Sequence, residues 1–467
     1  MLDPGEEPLP LNGENWALSD WNGRLVLQAW DTHRNLVRKI VSLKEQRRDR
    51  IALVTERFPK TQGEMQIADL AAASGVELRR KSSRVAFRDR FRLMLAREFP
   101  EWRAEDVSSD ANLEQSLSPS YVRAYIRRGS AGIAITAAPP DAPDCSAIVA
   151  FGLIWLEYLR RREKGVSVNR LLLYAPLGHE RATALRAALI DPASVACELF
   201  VYDERDFAGA VDLADAGNIE STLPPCCRPL TPNLEAADFS SLPGEVDRVE
   251  QSDGTVSLRV RGLEFGRWSG GRFSCGIGRK RPCTAATLGA MAQEIGRLRH
   301  DEAEDRQHPL YSQYPEGWLE AQVRAKPQVV DASLQRTPLY GQVPIFNGPE
   351  RGVIDLLGID DTGRLTIIEL KATADLQLPF QALDYWLRVR KHLAAGDFER
   401  LGYFPGLPIR REPPRILLVA PALEFHSTSE TVLGAISPRI DFTRIGLAAN
   451  WRTELRVMFR LSGAERP

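Results

Sequence analysis

Residues 351–385, RGVIDLLGIDDTGRLTIIELKATADLQLPFQALDY, constrain the fold more tightly than any other part of the chain. Two apolar, β-rich runs lie either side of a turn at 360–363, Asp-Asp-Thr-Gly, which reads as a hairpin. Acidic residues stand where buried strands should carry none. Asp355 interrupts Val353, Ile354, Leu356 and Leu357; Glu369 and Lys371 interrupt the second run. A lone ionised carboxylate in such a strand costs several kcal/mol unless something compensates it. A divalent cation is the most economical compensation.

Residues two apart on a strand share a face. Glu369 and Lys371 therefore point the same way as Ile367, and Thr366, Ile368 and Leu370 face the opposite layer. If the two runs pair antiparallel, Asp355 and Glu369 converge on one ion. Ligation by oxygen alone suits Mg²⁺ or Mn²⁺ better than zinc. Such an ion polarises a phosphate and acidifies bound water, chemistry in which Lys371 would orient the water. The pattern is that of a metal-dependent nuclease centre.

The surrounding residues strengthen it. Asp355, followed after a hairpin by Glu369-Leu370-Lys371, resembles the D…ExK core of the PD-(D/E)xK nuclease superfamily, over roughly residues 318–460. Gln381 and Tyr385 have the QxxxY spacing of its RecB-like branch, on an expected helix after the ExK strand, where one turn puts both on one face. Gly352-Val353-Ile354 stands where the motif's proline would be. The resemblance implies a restriction-endonuclease-like α/β core with a mixed central sheet. It implies Asp355 and Glu369 as metal ligands, the Leu370 carbonyl as a third, and Lys371 as the water-positioning group. An acidic residue on the preceding helix assists the metal in that superfamily; Glu320 is the matching position and Glu316 the fallback.

At 467 residues the chain is too long for one ordinary core. The expected fold is multi-domain α/β: an N-terminal α+β region (1–110), an α/β domain (111–223), a linker with a β-rich insert (224–308) and the nuclease domain (309–467). In the first hundred residues short strands alternate with helical segments, the clearest helix spanning 89–98. A capped helix is expected to start near 117–121, with Ser118 or Ser120 as the cap. Strands at 132–136, 170–174 and 197–202 alternate with helices at 146–161 and 180–189, which argues for parallel pairing. No glycine pattern for nucleotide phosphates stands at their junctions. No internal repeat is visible in the letters, although the element order of 115–206 suggests a degenerate copy of the nuclease core.

With 61 basic and 62 acidic residues, the chain has no global pull towards nucleic acid. DNA contact must come from local patches such as Arg388, Arg390, Lys391, Arg410 and Arg411. The 278–281 loop and Arg123, Arg127 and Arg128 read more readily as solvated turn and helix face than as phosphate contacts. Six cysteines without a CxxC pair read as reduced thiols of a cytoplasmic protein. The six histidines form no metal-spaced pair; His392 and His426 read as surface or capping residues. Neither a signal peptide nor a membrane span is expected. The leading expectation is a Mg²⁺- or Mn²⁺-dependent DNA endonuclease or nickase, acting as a homodimer or with a separate partner. The competing one is a non-catalytic nucleic-acid-binding or scaffold protein that retains the fold.

Overall fold

The computed structural model describes the chain except residues 1–8, 10, 12–14, 22, 31–34, 58–60, 70–72, 113, 143, 204, 215–220, 227–238, 240–241, 252–253, 348–349 and 464–467. The protein is α/β, with four sheets in two compact units. One unit comprises residues 1–187 and 193–213; the other comprises 188–192 and 214–467.

The first unit opens with an antiparallel meander of β1 (Trp16–Trp21), β2 (Arg24–Trp30), β3 (Asn35–Gln46), β4 (Arg50–Arg57) and β5 (Thr61–Ala68). Helix α1 (Ala73–Glu98) follows and is far longer than the 89–98 segment expected. Its Phe87, Phe91, Met94 and Leu95 pack on the second sheet of the unit. That sheet has the order β11-β10-β9-β8-β7-β6 and comprises β6 (Arg103–Ser108), β7 (Val122–Arg128), β8 (Ala131–Ala137), β9 (Ser167–Pro176), β10 (Ala196–Tyr202) and β11 (Ala208–Val211). Helix α2 (Ile148–Arg162) joins β8 to β9, α3 (Glu180–Ala187) joins β9 to β10, and both connections pair strands in parallel, as expected.

The helix expected near 117–121 does not form. Ser118 Oγ accepts the Ser120 N–H in a local turn (3.1 Å), and the chain enters β7. Val122, Tyr125 and Ile126, branched or aromatic, bury better on a pleated sheet than on a helix. Arg123 is consequently a buried strand residue and not part of a solvated helix face.

The second unit repeats the general plan. A five-stranded antiparallel meander contains β12 (Val246–Glu250), β13 (Val256–Val260), β14 (Leu263–Ser269), β15 (Arg272–Cys275) and β16 (Arg281–Cys283). Helix α4 (Ala285–Leu298), capped by the Thr284 hydroxyl, covers it with Leu288, Ala292 and Ile295. Short α5 (Pro309–Ser312), then α6 (Pro315–Ala325) and α7 (Pro327–Val330), lead to a six-stranded sheet in sequential order. Its strands are β17 (Tyr340–Asn347), β18 (Glu350–Ile359), β19 (Leu365–Leu370), β20 (Arg415–Pro421), β21 (Phe442–Leu447) and β22 (Val457–Ser462). Helices α8 (Leu378–Ala395), α9 (Asp397–Arg400) and α10 (Ser429–Gly434) complete the unit. The pairs β19–β20 and β20–β21 are parallel and the rest antiparallel, a mixed sheet.

One face of that sheet packs on α6 through Trp318, Leu319 and Val323, against Leu356, Ile368, Leu370, Leu417 and Val419. The alternation expected for β19 therefore holds. Ile368 and Leu370 enter this core, and Glu369 turns to the other face. The insert is tied directly to α6. Arg299, fully buried, donates to the carbonyls of Arg261 (3.2 Å), Leu310 (2.9 Å), Gln313 (2.5 Å) and Tyr314 (3.0 Å). Its guanidinium stacks over the Trp318 ring at 4.8 Å, with those of Arg452 and Arg261 at 5.5 and 5.7 Å. Burial and these like charges lower the Arg299 pKa to about 10.

A candidate metal centre at the end of the β18–β19 hairpin

Four elements deliver the expected residues to one place. The β18–β19 ladder runs from Ile359↔Leu365 to Leu356↔Ile368, and its continuation sets Asp355 opposite Glu369. There the ladder opens. Instead of a backbone bond, the Leu370 N–H donates to Asp355 Oδ2 at 2.9 Å, so the carboxylate is pinned at the point where the strands separate. Lys371 lies just past β19 but stays extended, its N–H bonded to the Val419 carbonyl at 3.0 Å. Its ammonium pairs with Asp375 at 3.3 Å.

Glu320 arrives from α6 and is 2% exposed. Of the two acidic residues on that helix it is the buried one; Glu316 is partly exposed. Gly341 makes room for it, because a Cβ there would stand 2.7 Å from Glu320 Oε1. Gln381 and Tyr385 lie on α8. The Tyr385 hydroxyl accepts the Val353 N–H. Its ring lies against Gly352, where a Cβ would come within 2.9 Å. A side chain at Gly352 would displace this tyrosine.

Gln342 is the residue that reading the sequence missed. The β17–β18 register runs unbroken from Gly341↔Leu356 to Val343↔Ile354, and between them Gln342 stands opposite Asp355 outside the ladder with φ of 52°. A non-glycine residue in the left-handed region of a strand is uncommon and costs energy. Here the left-handed backbone at Gln342 accompanies one amide meeting two carboxylates: Gln342 Nε2 donates to Glu320 Oε2 at 2.9 Å and to Asp355 Oδ1 at 3.4 Å. Tyr314 was likewise unforeseen. It precedes α6 with φ of 51°, and burial, Glu320 and Asp355 together raise its pKa.

The electrostatics are those of crowded anions. Burial, then Asp355, pushes the Glu369 carboxyl well above the usual range, against the pull of Lys371. Burial raises Asp355, opposed by the Leu370 N–H and Lys371; burial and Asp355 raise Glu320, opposed by Arg324 and Arg259. Three buried oxygens here have no hydrogen-bond partner: Glu320 Oε1, Glu369 Oε2 and Gln381 Oε1. Arg324 stays 3.7 Å from Glu320 Oε1, too far for a hydrogen bond.

Among the described residues, no three His, Cys, Asp or Glu side chains form a ready-made cage for a metal ion. Mg²⁺ does not require one, since it is commonly held by one or two carboxylates and keeps several waters. Orphaned buried carboxylate oxygens, and carboxyls raised by burial and by Asp355, are what a divalent cation would compensate. The residues fit the group.

Other expectations fare differently. Of the five basic residues named for DNA contact, Arg388 approaches the site, near Gly352 and Tyr385. Arg410 and Arg411 pair with Glu412 and Glu399. In the 278–281 loop Lys280 is engaged with Glu264 at 3.0 Å, in line with a structural turn. His392 is buried, not on the surface: its Nδ1 lies 2.6 Å from Asp397 Oδ2 and its Nε2 2.8 Å from Ser221 Oγ. This chain has the connectivity of a hydrolase triad, yet it pins a peripheral segment. The same segment is held by Cys226 N–H to the Leu401 carbonyl (2.9 Å) and Tyr403 OH to the Pro224 carbonyl (3.1 Å). His426 Nδ1 accepts the Thr428 N–H at 3.3 Å in the turn ahead of α10.

No protein-family model matches the chain, and no curated protein matches it. Among the described residues no helix is long and apolar enough to cross a membrane.

Proposed function

We propose that the second unit is a Mg²⁺- or Mn²⁺-dependent nuclease that hydrolyses phosphodiester bonds, with DNA as its substrate. The observation that carries the reading is the meeting of Glu320, Asp355 and Glu369 beside Lys371, with buried carboxylate oxygens left unpartnered. A structural hairpin gains nothing from two buried glutamates each raised by the Asp355 carboxylate. The sheet order and the positions of α6 and α8 agree with the restriction-endonuclease-like core that the D…ExK resemblance implies.

Asp355 and Glu369 would hold the ion, with the Leu370 carbonyl as a third donor and Glu320 assisting. The chemistry such an ion would supply is charge stabilisation at the scissile phosphate and a lowered pKa for the attacking water. Lys371 orients that water and stabilises charge developing on the phosphate. Gln342 spaces Glu320 from Asp355 so that neither collapses on the other. Gln381 and Tyr385 hold the α8 side of the site, Tyr385 by its bond to Val353. Beside Gln342, a cleft of about 630 Å³ lined by Arg248, Arg324 and Tyr340 opens between the insert and β17.

The test is cleavage of supercoiled and single-stranded circular DNA with Mg²⁺ or Mn²⁺, wild type beside Lys371→Ala. Circles have no ends, so cleavage by wild type alone establishes an endonuclease at this site. Equal cleavage by the variant overturns the assignment of Lys371. Metal-independent DNA binding with no cleavage of any substrate favours the scaffold reading.

A further inference from the structure

The two six-stranded sheets are built alike. In each, three strands pair antiparallel, the third to fifth pair parallel, and the sixth returns antiparallel: β6 to β11 in one, β17 to β22 in the other. A helix joins the third and fourth strands in both (α2, α8), and another joins the fourth and fifth (α3, α10). Each sheet is preceded by a five-stranded antiparallel meander and a helix. The repeat that the letters concealed is therefore present in the fold.

The backbone sets the alignment. Ala138 N–H donates to the Tyr174 carbonyl at 2.9 Å, as Lys371 N–H donates to the Val419 carbonyl. That match lays β9, RLLLYAP from Arg170, on β20, RILLVAP from Arg415, with Arg, both following Leu, Ala and Pro in common. Position by position the first site can then be read. Leu418 pairs Glu369, and its counterpart Leu173 pairs Thr136. Asp355 stands opposite Glu369, and Arg123 stands opposite Thr136. Arg123, Thr136 and Ala138 therefore replace Asp355, Glu369 and Lys371.

These replacements remove the chemistry and keep the fold. A guanidinium takes the place of one metal-binding carboxylate, a threonine the other, and a methyl group the ammonium. Arg123 is held in place locally, donating to the carbonyls of Asp110 (2.7 Å) and Ser118 (3.1 Å) beneath the Trp155 ring at 5.8 Å. Thr136 is fully buried, and α2 carries no glutamine to stand for Gln381.

We propose that this chain is an internal tandem pair of one two-part unit in which the first copy is hydrolytically silent. A single chain thus takes the place of a homodimer, carries one cutting centre and breaks one strand of a DNA duplex per encounter. The inference rests on the nuclease reading of the second unit.

Two measurements on the full chain test it. The first is Mn²⁺ binding, followed by the loss of the free-ion EPR signal, for wild type, Asp355→Asn/Glu369→Gln and Thr136→Val. Binding should vanish in the double variant and be unchanged in Thr136→Val. Tight binding that persists in the double variant overturns the silence of the first copy. Absence of binding in wild type, with no cleavage, is the distinct failure of the nuclease reading itself. The second is the product of supercoiled plasmid at limiting protein, with the sedimenting species measured in the same buffer. A monomer yielding nicked circles, with linear DNA appearing later through independent second nicks, is the expected result. Linear product without a nicked precursor, from a monomer or a dimer, overturns the proposal.

Discussion

Replacing Glu369 by Gln should make the metal-free protein more stable while abolishing its activity. Glu369 is 4% exposed, has an unpartnered oxygen and faces Asp355, and Gln keeps its shape without its charge. The sign follows from the raised pKa. A carboxyl whose folded-state pKa lies above its unfolded value of about 4.3 contributes stability that is fully present below that value. The contribution is lost as pH rises through the folded pKa. Wild type without metal should therefore lose stability from pH 5 to pH 8, and the variant should lose less. Asp355 and Glu320 are raised in the same sense and still titrate, so the slope shrinks without vanishing. Relieving one buried, poorly paired charge is worth about 1–3 kcal/mol. At about 2–4 °C per kcal/mol for a unit of this size, the variant should melt several degrees higher at pH 8 in EDTA. Mn²⁺ at about 100 times its Kd should stabilise wild type by about 2.7 kcal/mol and leave the variant unmoved. Cleavage should fall at least about 100-fold, since several kcal/mol of charge stabilisation are withdrawn. Scanning calorimetry of both proteins at pH 5 to 8, with and without Mn²⁺, reads all of this. A variant less stable than wild type at pH 8 in EDTA, or one that keeps the Mn²⁺ response, refutes the reasoning.

Asp355→Asn retains an oxygen for the Leu370 N–H, so melting should change by under about 1 kcal/mol while Mn²⁺-dependent cleavage disappears; calorimetry beside a plasmid assay separates the two. Gly341→Ala drives a methyl to 2.7 Å from Glu320 Oε1 and should weaken Mn²⁺ binding about tenfold, measured by titration calorimetry. Ser221→Ala breaks the bond to His392 and should cost about 1 kcal/mol of stability with cleavage unchanged; a loss of cleavage would move the Ser221–His392–Asp397 chain into the chemistry.

Asp355, Glu369, Lys371, Gln381 and Tyr385 were legible because each breaks a rule of its element: charges inside apolar strands, a spaced polar pair on a helix. Gln342 and Tyr314 break nothing in the letters. Their roles come from left-handed backbone inside a strand and at a helix start, which tertiary packing imposes. The misplaced helix near 117–121 has a similar origin. Its serines carry capping chemistry, but the sheet outbids a local cap when Val122 to Ile126 can all be buried. The tandem repeat was hidden for a different reason. Apolar strands tolerate exchange among Val, Ile, Leu and Tyr as long as volume and alternation hold, so pairing survives where identity does not.

The arginine that joins the insert to α6 bears on where this chain can be divided. Composition shifts sharply at 300–308, which makes residue 309 the natural place to begin a shorter catalytic fragment. Such a fragment would lack Arg299, which satisfies the carbonyls of Leu310, Gln313 and Tyr314 and roofs Trp318. The ring would meet water, and the turn that launches α6, and with it Glu320, would lose its template. The meander is therefore a structural support of α6, and a fragment that keeps the proposed site folded should begin upstream of β12.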